Sequence, residues 1–86
     1  MQIARTERFK NAFRDLNERD RQRVEKALRL MVGDLRHPGL RVKKMEGTRD
    51  IWEARASRSV RITFQVEKDT IVLRNVGAHD ATLKRP

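Results

Sequence analysis

The chain is 86 residues long, contains no cysteine and has a formal net charge of +9, from 21 Lys and Arg against 12 Asp and Glu. The length predicts one small domain, residues 1–86. The lack of cysteine excludes disulfides, thiolate nucleophiles and thiolate metal sites. The basic excess predicts attraction to polyanions, to nucleic acid first and to an anionic membrane surface second. Because no segment resembles a signal peptide or a membrane span, we expect a cytoplasmic protein.

The first part of the chain predicts a short strand followed by a helix pair. Residues 2–4 form the opening strand, and Thr6 is a favourable N-cap for the first helix. Residues 17–20 interrupt the helical pattern, and we expect Asp20 to cap the second helix. His37-Pro38-Gly39 ends that helix. The two amphipathic stripes that support these helices are Phe9, Ala12, Phe13 and Leu16, then Val24, Ala27, Leu28, Met31 and Leu35.

After Gly39 the hydrophobic pattern becomes alternating, which predicts strands. Leu40 and Val42 alternate with basic residues, a turn follows at residues 45–48, and residues 51–64 read as a hairpin. A polar turn at 67–70 leads into an apolar run at 71–76, which suits a strand covered on both sides. We expect residues 77–86 to form an irregular tail.

The hairpin at residues 51–64 places its apolar and polar side chains on opposite faces. Trp52, Ile62 and Phe64 share one face, which the helices must cover, so Arg55 and Arg61 meet on the other. Like charges on neighbouring strands are destabilising, and this pair therefore suggests a nearby anion. The predicted fold is α+β, in the order β-α-α-β-β-β-β, with a helix pair packed on one face of a small, twisted, antiparallel-rich sheet.

This element order at this length resembles the RelE/ParE superfamily, the toxins of bacterial type II toxin–antitoxin pairs. The similarity covers nearly the whole chain, which would then be a single RelE/ParE-like toxin domain. The stretches that carry it are Leu40-Arg41-Val42-Lys43-Lys44-Met45-Glu46-Gly47, Ile51-Trp52-Glu53-Ala54-Arg55, Val60-Arg61-Ile62-Thr63-Phe64 and Asn75-Val76-Gly77-Ala78-His79-Asp80. Two activities occur on this fold: RelE-like toxins cleave messenger RNA in the ribosomal A site without a metal, whereas ParE-like toxins inhibit DNA gyrase.

The resemblance implies catalytic roles for Arg61, His79 and Arg55. Arg61 stands where RelE-like nucleases place an arginine that contacts the scissile phosphate, and a guanidinium offers a planar fork to phosphate oxygens. His79 stands where several members carry a general acid or base, with a solvent-exposed histidine as the alternative. Glu53 occupies a position that is basic in RelE-like nucleases, so it acts either as a base or as a charge partner that neutralises Arg55.

Three further cations complete the expected phosphate- or RNA-binding set: Lys43, Lys44 and Arg74. Against the nuclease interpretation, the chain has no tyrosine, which many RelE-like nucleases carry near the C-terminus. The resemblance implies no cofactor and no metal, and it implies a cognate antitoxin, the ribosome and mRNA as partners, with a toxin–antitoxin hetero-oligomer and no membrane. The alternatives are a ParE-like gyrase inhibitor without nuclease chemistry and a noncatalytic basic nucleic-acid-binding module.

Overall fold

The computed structural model describes all residues, 1–86, as three helices and one sheet of five strands. In chain order the elements are β1 (Gln2–Arg5), α1 (Glu7–Arg14), α2 (Glu18–Gly33), a 3-10 turn (Pro38–Leu40), β2 (Lys43–Lys44), β3 (Trp52–Arg55), β4 (Val60–Glu67), β5 (Thr70–Ala78) and α3 (His79–Lys84). The strand order is β1-β5-β4-β3-β2, with β1 parallel to β5 and every other pair antiparallel. The predicted α+β class with an antiparallel-rich sheet is confirmed.

Both long helices begin at side-chain caps. The Thr6 hydroxyl accepts a hydrogen bond from the Phe9 amide at 3.1 Å, as predicted for α1. The cap of α2 is Asn17, whose side chain accepts from the Asp20 amide at 2.8 Å. The prediction that Asp20 caps this helix is therefore wrong, because Asn17 holds the extended backbone of a cap and residues 18–20 already form the first turn. None of the helices combines the length and apolar character needed to cross a membrane.

A single apolar cluster joins the two long helices to one face of the sheet. Phe9 of α1 and Val24 and Met31 of α2 pack in the same cluster as Ile62 and Phe64 of β4, and all five are almost fully buried. Trp52 is half-buried against this cluster. The helices therefore cover the hairpin face that the alternating pattern assigned to them. Strand β5 buries alternate residues rather than both faces, since Val72 stays half-buried between Ile71 and Leu73.

The segment before β2 differs from its prediction. Leu40, expected to open a strand, ends the 3-10 turn and is 1% exposed in the core. Arg41 follows in the left-handed conformation, with φ of 47°. A left-handed residue breaks the alternation that a strand needs, so β2 is limited to Lys43 and Lys44.

The expected C-terminal tail is instead the end of β5 followed by α3. Thr82 of α3 is 3% exposed and packs against Gly77, where an added Cβ would lie 2.9 Å from the threonine hydroxyl. The main-chain oxygens of Arg85 and Pro86 accept hydrogen bonds from four side chains: Arg8, Thr63, Arg74 and Asn75. These tertiary contacts hold the segment on the sheet face opposite α1 and α2.

Candidate functional site

The register of the β3–β4 hairpin brings Arg55 and Arg61 directly opposite each other. Glu53 pairs with Thr63 in the same hairpin, and Lys43 of β2 pairs with Glu53. Side chains of alternate residues share a face, so Lys43, Glu53, Arg55 and Arg61 project together on the side away from α1 and α2. We call these four residues the hairpin face. The predicted meeting of Arg55 and Arg61 is confirmed.

Arg61 is held in place by the loop that joins β3 to β4. Its Nη1 atom donates to the carbonyl oxygen of Ser57 at 2.9 Å, with longer contacts to the carbonyls of Arg58 and Val60 at 3.3 Å. The side chain is 14% exposed, yet Nη2 donates no hydrogen bond within the chain and is accessible to solvent. Arg61 therefore combines a guanidinium held at Nη1 with a second terminal nitrogen, Nη2, that is open to an external acceptor.

Glu53 is the charge partner of Arg61. Its carboxylate lies 3.9 Å from Arg61 Nε, and its side chain is 9% exposed. Neither oxygen accepts a hydrogen bond within the chain, and both are accessible to solvent. Burial lowers the pKa of Arg61 from its usual value, Arg55 and Arg41 lower it further, and Glu53 opposes them. Two cations and one anion thus surround the Arg61 guanidinium, which leaves the hairpin face with an excess of positive charge.

His79 opens α3 beside the tip of the hairpin. Its amide donates to the carbonyl oxygen of Ser59 at 2.8 Å, and the preceding pairs Val60–Ala78 and Arg61–Gly77 continue the β4–β5 ladder. The imidazole is 48% exposed, and its Nδ1 lies 2.9 Å from a carboxylate oxygen of Asp80. An acidic partner at Nδ1 favours the tautomer that carries a proton there and leaves Nε2 free.

The two lysines of β2 lie on opposite faces of the sheet. Lys43 is opposite Glu53 and belongs to the hairpin face, whereas Lys44 is opposite Trp52 on the helix side. The Lys44 ammonium is 3.8 Å from the Asp50 carboxylate. Only Lys43 is therefore grouped with the arginines of the hairpin.

Arg74 lies apart from the hairpin face, at an irregularity in the β4–β5 ladder. The register shifts between Thr63 and Phe64 and leaves Arg74 without a partner on β4. Its Nη1 donates to Gln65 Oε1 at 2.7 Å and its Nε to the main-chain oxygen of Pro86 at 3.2 Å. Two of its donor nitrogens are thus engaged in holding the C-terminal segment.

Sequence reasoning did not find the residues that fix this geometry. The carbonyl oxygen of Ser57 accepts the hydrogen bond that holds Arg61, and the carbonyl oxygen of Ser59 accepts one from the His79 amide. Thr63 is completely buried under the C-terminal segment. Every residue has a main-chain carbonyl, so the residue type does not indicate which carbonyl in a loop accepts a hydrogen bond. No group of three or more His, Asp or Glu side chains is placed to hold a metal ion.

Solved structures that match this chain are toxins of toxin–antitoxin systems. YafQ from Escherichia coli matches with a TM-score of 0.81 at 10% identity, over 94% of this chain and 96% of that one. RelE in the antitoxin–toxin complex of Methanococcus jannaschii matches over 100% of both chains, with a TM-score of 0.75 and 20% identity. The intact RelBE complex of E. coli matches over 92% of this chain and 96% of that one, with a TM-score of 0.72 and 21% identity.

The fold is that of the RelE/ParE-type toxins. The same fold appears in a YoeB/ParE toxin from Agrobacterium tumefaciens, with a TM-score of 0.71 and 14% identity over 92% of this chain and 99% of that one. No family model matches the sequence, and no curated protein does. The RelE/ParE fold is therefore shown by structure at low sequence identity.

Proposed function

We propose that this protein is the toxin of a type II toxin–antitoxin pair and cleaves messenger RNA on the ribosome without a metal ion. The observation that supports this function best is the environment of Arg61, a nearly buried guanidinium fixed by the Ser57 carbonyl and open at Nη2. Arg55 lies directly opposite it, and the two like charges are relieved when an anion binds between them. A phosphodiester group supplies such an anion.

In this reaction the 2′-hydroxyl of the RNA attacks the adjacent phosphorus, and the bond to the 5′-oxygen of the next nucleotide breaks. The products are a 2′,3′-cyclic phosphate and a free 5′-hydroxyl. Arg61, through Nη2, and Arg55 stabilise the extra negative charge that develops on the phosphate oxygens. His79, with Nε2 unengaged, either accepts the proton of the 2′-hydroxyl or donates one to the 5′-oxygen, and solvent water exchanges the other proton. Lys43 contributes phosphate affinity from the same face.

Glu53 acts in this scheme as a charge partner rather than as a base. Its carboxylate lies 3.9 Å from Arg61 Nε and beside Lys43 in the sheet register. The negative charge of this carboxylate, placed between two cations, lowers the repulsion among them before RNA binds. It therefore allows Arg55 and Arg61 to stay close together in the free protein.

A cognate antitoxin is the expected protein partner. The structures of RelE from E. coli and M. jannaschii cited above are complexes with an antitoxin, and E. coli YafQ has been solved in complex with DinJ. We propose that an antitoxin segment covers or distorts the hairpin face and so blocks RNA. The excess of cations on that face favours an acidic segment.

Inhibition of DNA gyrase is the second candidate, and one observation favours it. The chain has no tyrosine, and the residues near its C-terminus form α3, with Thr82 buried against the sheet. No aromatic side chain is therefore available there to stack on a base. A gyrase inhibitor needs a binding surface but neither His79 nor an open Arg61 nitrogen.

Expression of single variants in a bacterial host tests the nuclease proposal. Arg61→Ala and His79→Ala should each relieve growth arrest, while Arg19→Ala, which removes an exposed α2 arginine without an ion pair, should remain toxic. Thermal unfolding of the purified variants controls for loss of the fold. Mapping of RNA ends should show A-site cuts for the wild type and the Arg19 variant only.

The opposite pattern contradicts the proposal. If the Arg61 and His79 variants stay fully toxic and no A-site cuts form, the protein is not this nuclease. Rescue of growth by a resistant gyrase would then establish the second candidate. A chain that is not toxic and binds DNA uniformly would support the noncatalytic nucleic-acid-binding alternative.

A further inference from the structure

A basic cleft lies between α2 and the loop of the hairpin, on the helix side of the sheet. It has a volume of about 590 Å³, and its basic and polar lining residues come from three separate parts of the chain. Arg23 and Lys26 belong to α2, His37 precedes the 3-10 turn, and Arg55 and Arg58 belong to the hairpin. We call this the α2–loop cleft. No Asp or Glu lines it.

The cations of the α2–loop cleft have no partners within the chain. Arg23, Lys26, Arg55 and Arg58 form none of the ion pairs and donate none of the side-chain hydrogen bonds of the structure. Two of them, Arg23 and Arg55, are nevertheless half-buried. Elsewhere on α2, by contrast, Arg21 pairs with Glu18 at 2.9 Å. Partly desolvated guanidiniums without a counter-ion are costly, so the cleft is suited to an external anion.

His37 adds a neutral donor to the same cleft. Its Nδ1 accepts a hydrogen bond from the Gly39 amide at 3.1 Å, which requires that this nitrogen carry no proton. In the neutral ring the proton is therefore on Nε2, which is a donor. An added Cβ at Gly39 would lie 3.2 Å from the imidazole, so the ring rests directly on that glycine. The orientation of His37 is thus fixed before any ligand binds.

The volume and charge of the cleft distinguish among anions. The cleft, at about 590 Å³, is open to solvent and is much larger than a single small anion. A single carboxylate or inorganic phosphate would leave most of this space and several of the five donors unused. Successive phosphates of a nucleic-acid backbone bring several charges while staying partly hydrated, which matches cations arranged on two opposing walls.

We propose that the α2–loop cleft binds the sugar–phosphate backbone of a nucleic acid at a site that adjoins the scissile phosphate and shares Arg55 with it. Arg55 ends β3 and lies both on the hairpin face and on the cleft wall, so a bound strand or stem crosses the hairpin tip between the two. This inference rests on the proposed function in one respect, because a protein that cleaves mRNA is expected to bind RNA rather than DNA in the cleft. Contacts of this kind fix the position of the nucleic acid without reading its sequence.

A matched pair of double variants tests the α2–loop cleft. Arg23→Gln/Lys26→Gln removes two cleft cations, and Arg19→Gln/Arg29→Gln removes two exposed arginines of the same helix that do not line it. Both changes lower the net charge equally. The probes are a fluorescein-labelled RNA hairpin and a DNA duplex of the same stem sequence. Binding is followed by anisotropy from about 50 to 200 mM salt, without ribosomes.

For the cleft variant, the slope of log K against log salt should become shallower by about 1.4 to 1.8, the value for two lost phosphate contacts. If binding at 1 M salt is unchanged, the same loss lowers affinity at 0.1 M salt by roughly 25- to 60-fold. The control variant should keep the wild-type slope within about 0.5. If the cleft variant loses more affinity for RNA than for DNA, RNA is the ligand of the cleft. If it loses affinity for both equally, the cleft binds the sugar–phosphate backbone of either nucleic acid.

Equal slopes for the cleft and control variants would overturn the proposal. Vesicles of phosphatidylserine and phosphatidylcholine provide the membrane alternative, and loss of vesicle binding in the cleft variant with RNA binding intact would also overturn it. The outcome is separate from catalysis. A protein that cuts no mRNA but binds RNA through the cleft refutes only the proposed function. One that cuts mRNA while its cleft variant matches the control refutes only this inference.

Discussion

The contact between Gly77 and Thr82 makes the position of α3 testable by a double-mutant cycle. Gly77 has φ of 157°, which residues with a Cβ rarely adopt, and a Cβ there would lie 2.9 Å from the Thr82 hydroxyl. The backbone strain costs about 1–3 kcal/mol, and the overpacking adds about 1–3 kcal/mol. We therefore expect Gly77→Ala to lower the free energy of unfolding by about 2–6 kcal/mol, a large part of the total for a small domain.

Thr82→Ala removes the atom that the new Cβ would meet. Alone it should cost about 1 kcal/mol, for one buried methyl and one hydroxyl. In the Gly77→Ala/Thr82→Ala double variant only the backbone strain remains, so the two changes should be coupled favourably by about 1–3 kcal/mol. Urea unfolding followed by the fluorescence of Trp52, the single tryptophan, measures all four free energies.

Hydrogen exchange of residues 79–84 separates two ways of relieving the contact. If α3 detaches in Gly77→Ala, its amides should exchange faster, and the double variant should restore their protection. The close packing of α3 on β5 would be refuted by two results together. The unfolding free-energy changes of the two single variants would sum to that of the double variant within about 0.5 kcal/mol, and hydrogen exchange in α3 would be unchanged. His79, at the start of α3, would then have no fixed place beside the hairpin.

Three other changes have defined outcomes. Asn17→Ala should destabilise the protein by about 0.5–2 kcal/mol, and Asp20→Ala by less, because Asn17 holds the cap; urea unfolding of both variants decides this. Leu40→Ala should cost about 2–5 kcal/mol by the same assay, because Leu40 is buried in the core at the end of the 3-10 turn. Glu53→Gln should strengthen RNA binding, steepen its salt slope by about 0.7–0.9 and leave cleavage intact; loss of cleavage with binding retained would make Glu53 a base instead.

The alternating pattern of residues 51–64 was sufficient to predict the hairpin and the meeting of its arginines. Side chains of a strand alternate strictly, so burial of Ile62 and Phe64 fixes the side to which Arg61 points. The two helices were predicted for a similar reason, because their apolar stripes repeat over several turns. The hydrophobic periodicity of each segment, together with the burial of one face, was thus sufficient to predict the hairpin and the two long helices.

Features that depend on tertiary contacts were not predictable in this way. Helix α3 is only six residues long, and it is held by Thr82 and by main-chain oxygens rather than by an apolar stripe. Arg74 was expected among the cations that bind phosphate or RNA, but its engagement with Gln65 and Pro86 depends on the irregular register of β4 and β5. The α2–loop cleft likewise joins residues that are distant in sequence.

The chemical nature of the RNA ends tests the proposed nuclease most directly. Purified protein is added to ribosomes stalled on a defined mRNA, and the 5′ ends are mapped with and without prior phosphorylation by polynucleotide kinase. Wild-type protein should produce A-site fragments with 5′-hydroxyl ends, and Arg61→Gln, folded to the same unfolding midpoint, should produce none. The absence of wild-type cuts, or equal cutting by the Arg61 variant, would contradict the role of the hairpin face in cleavage.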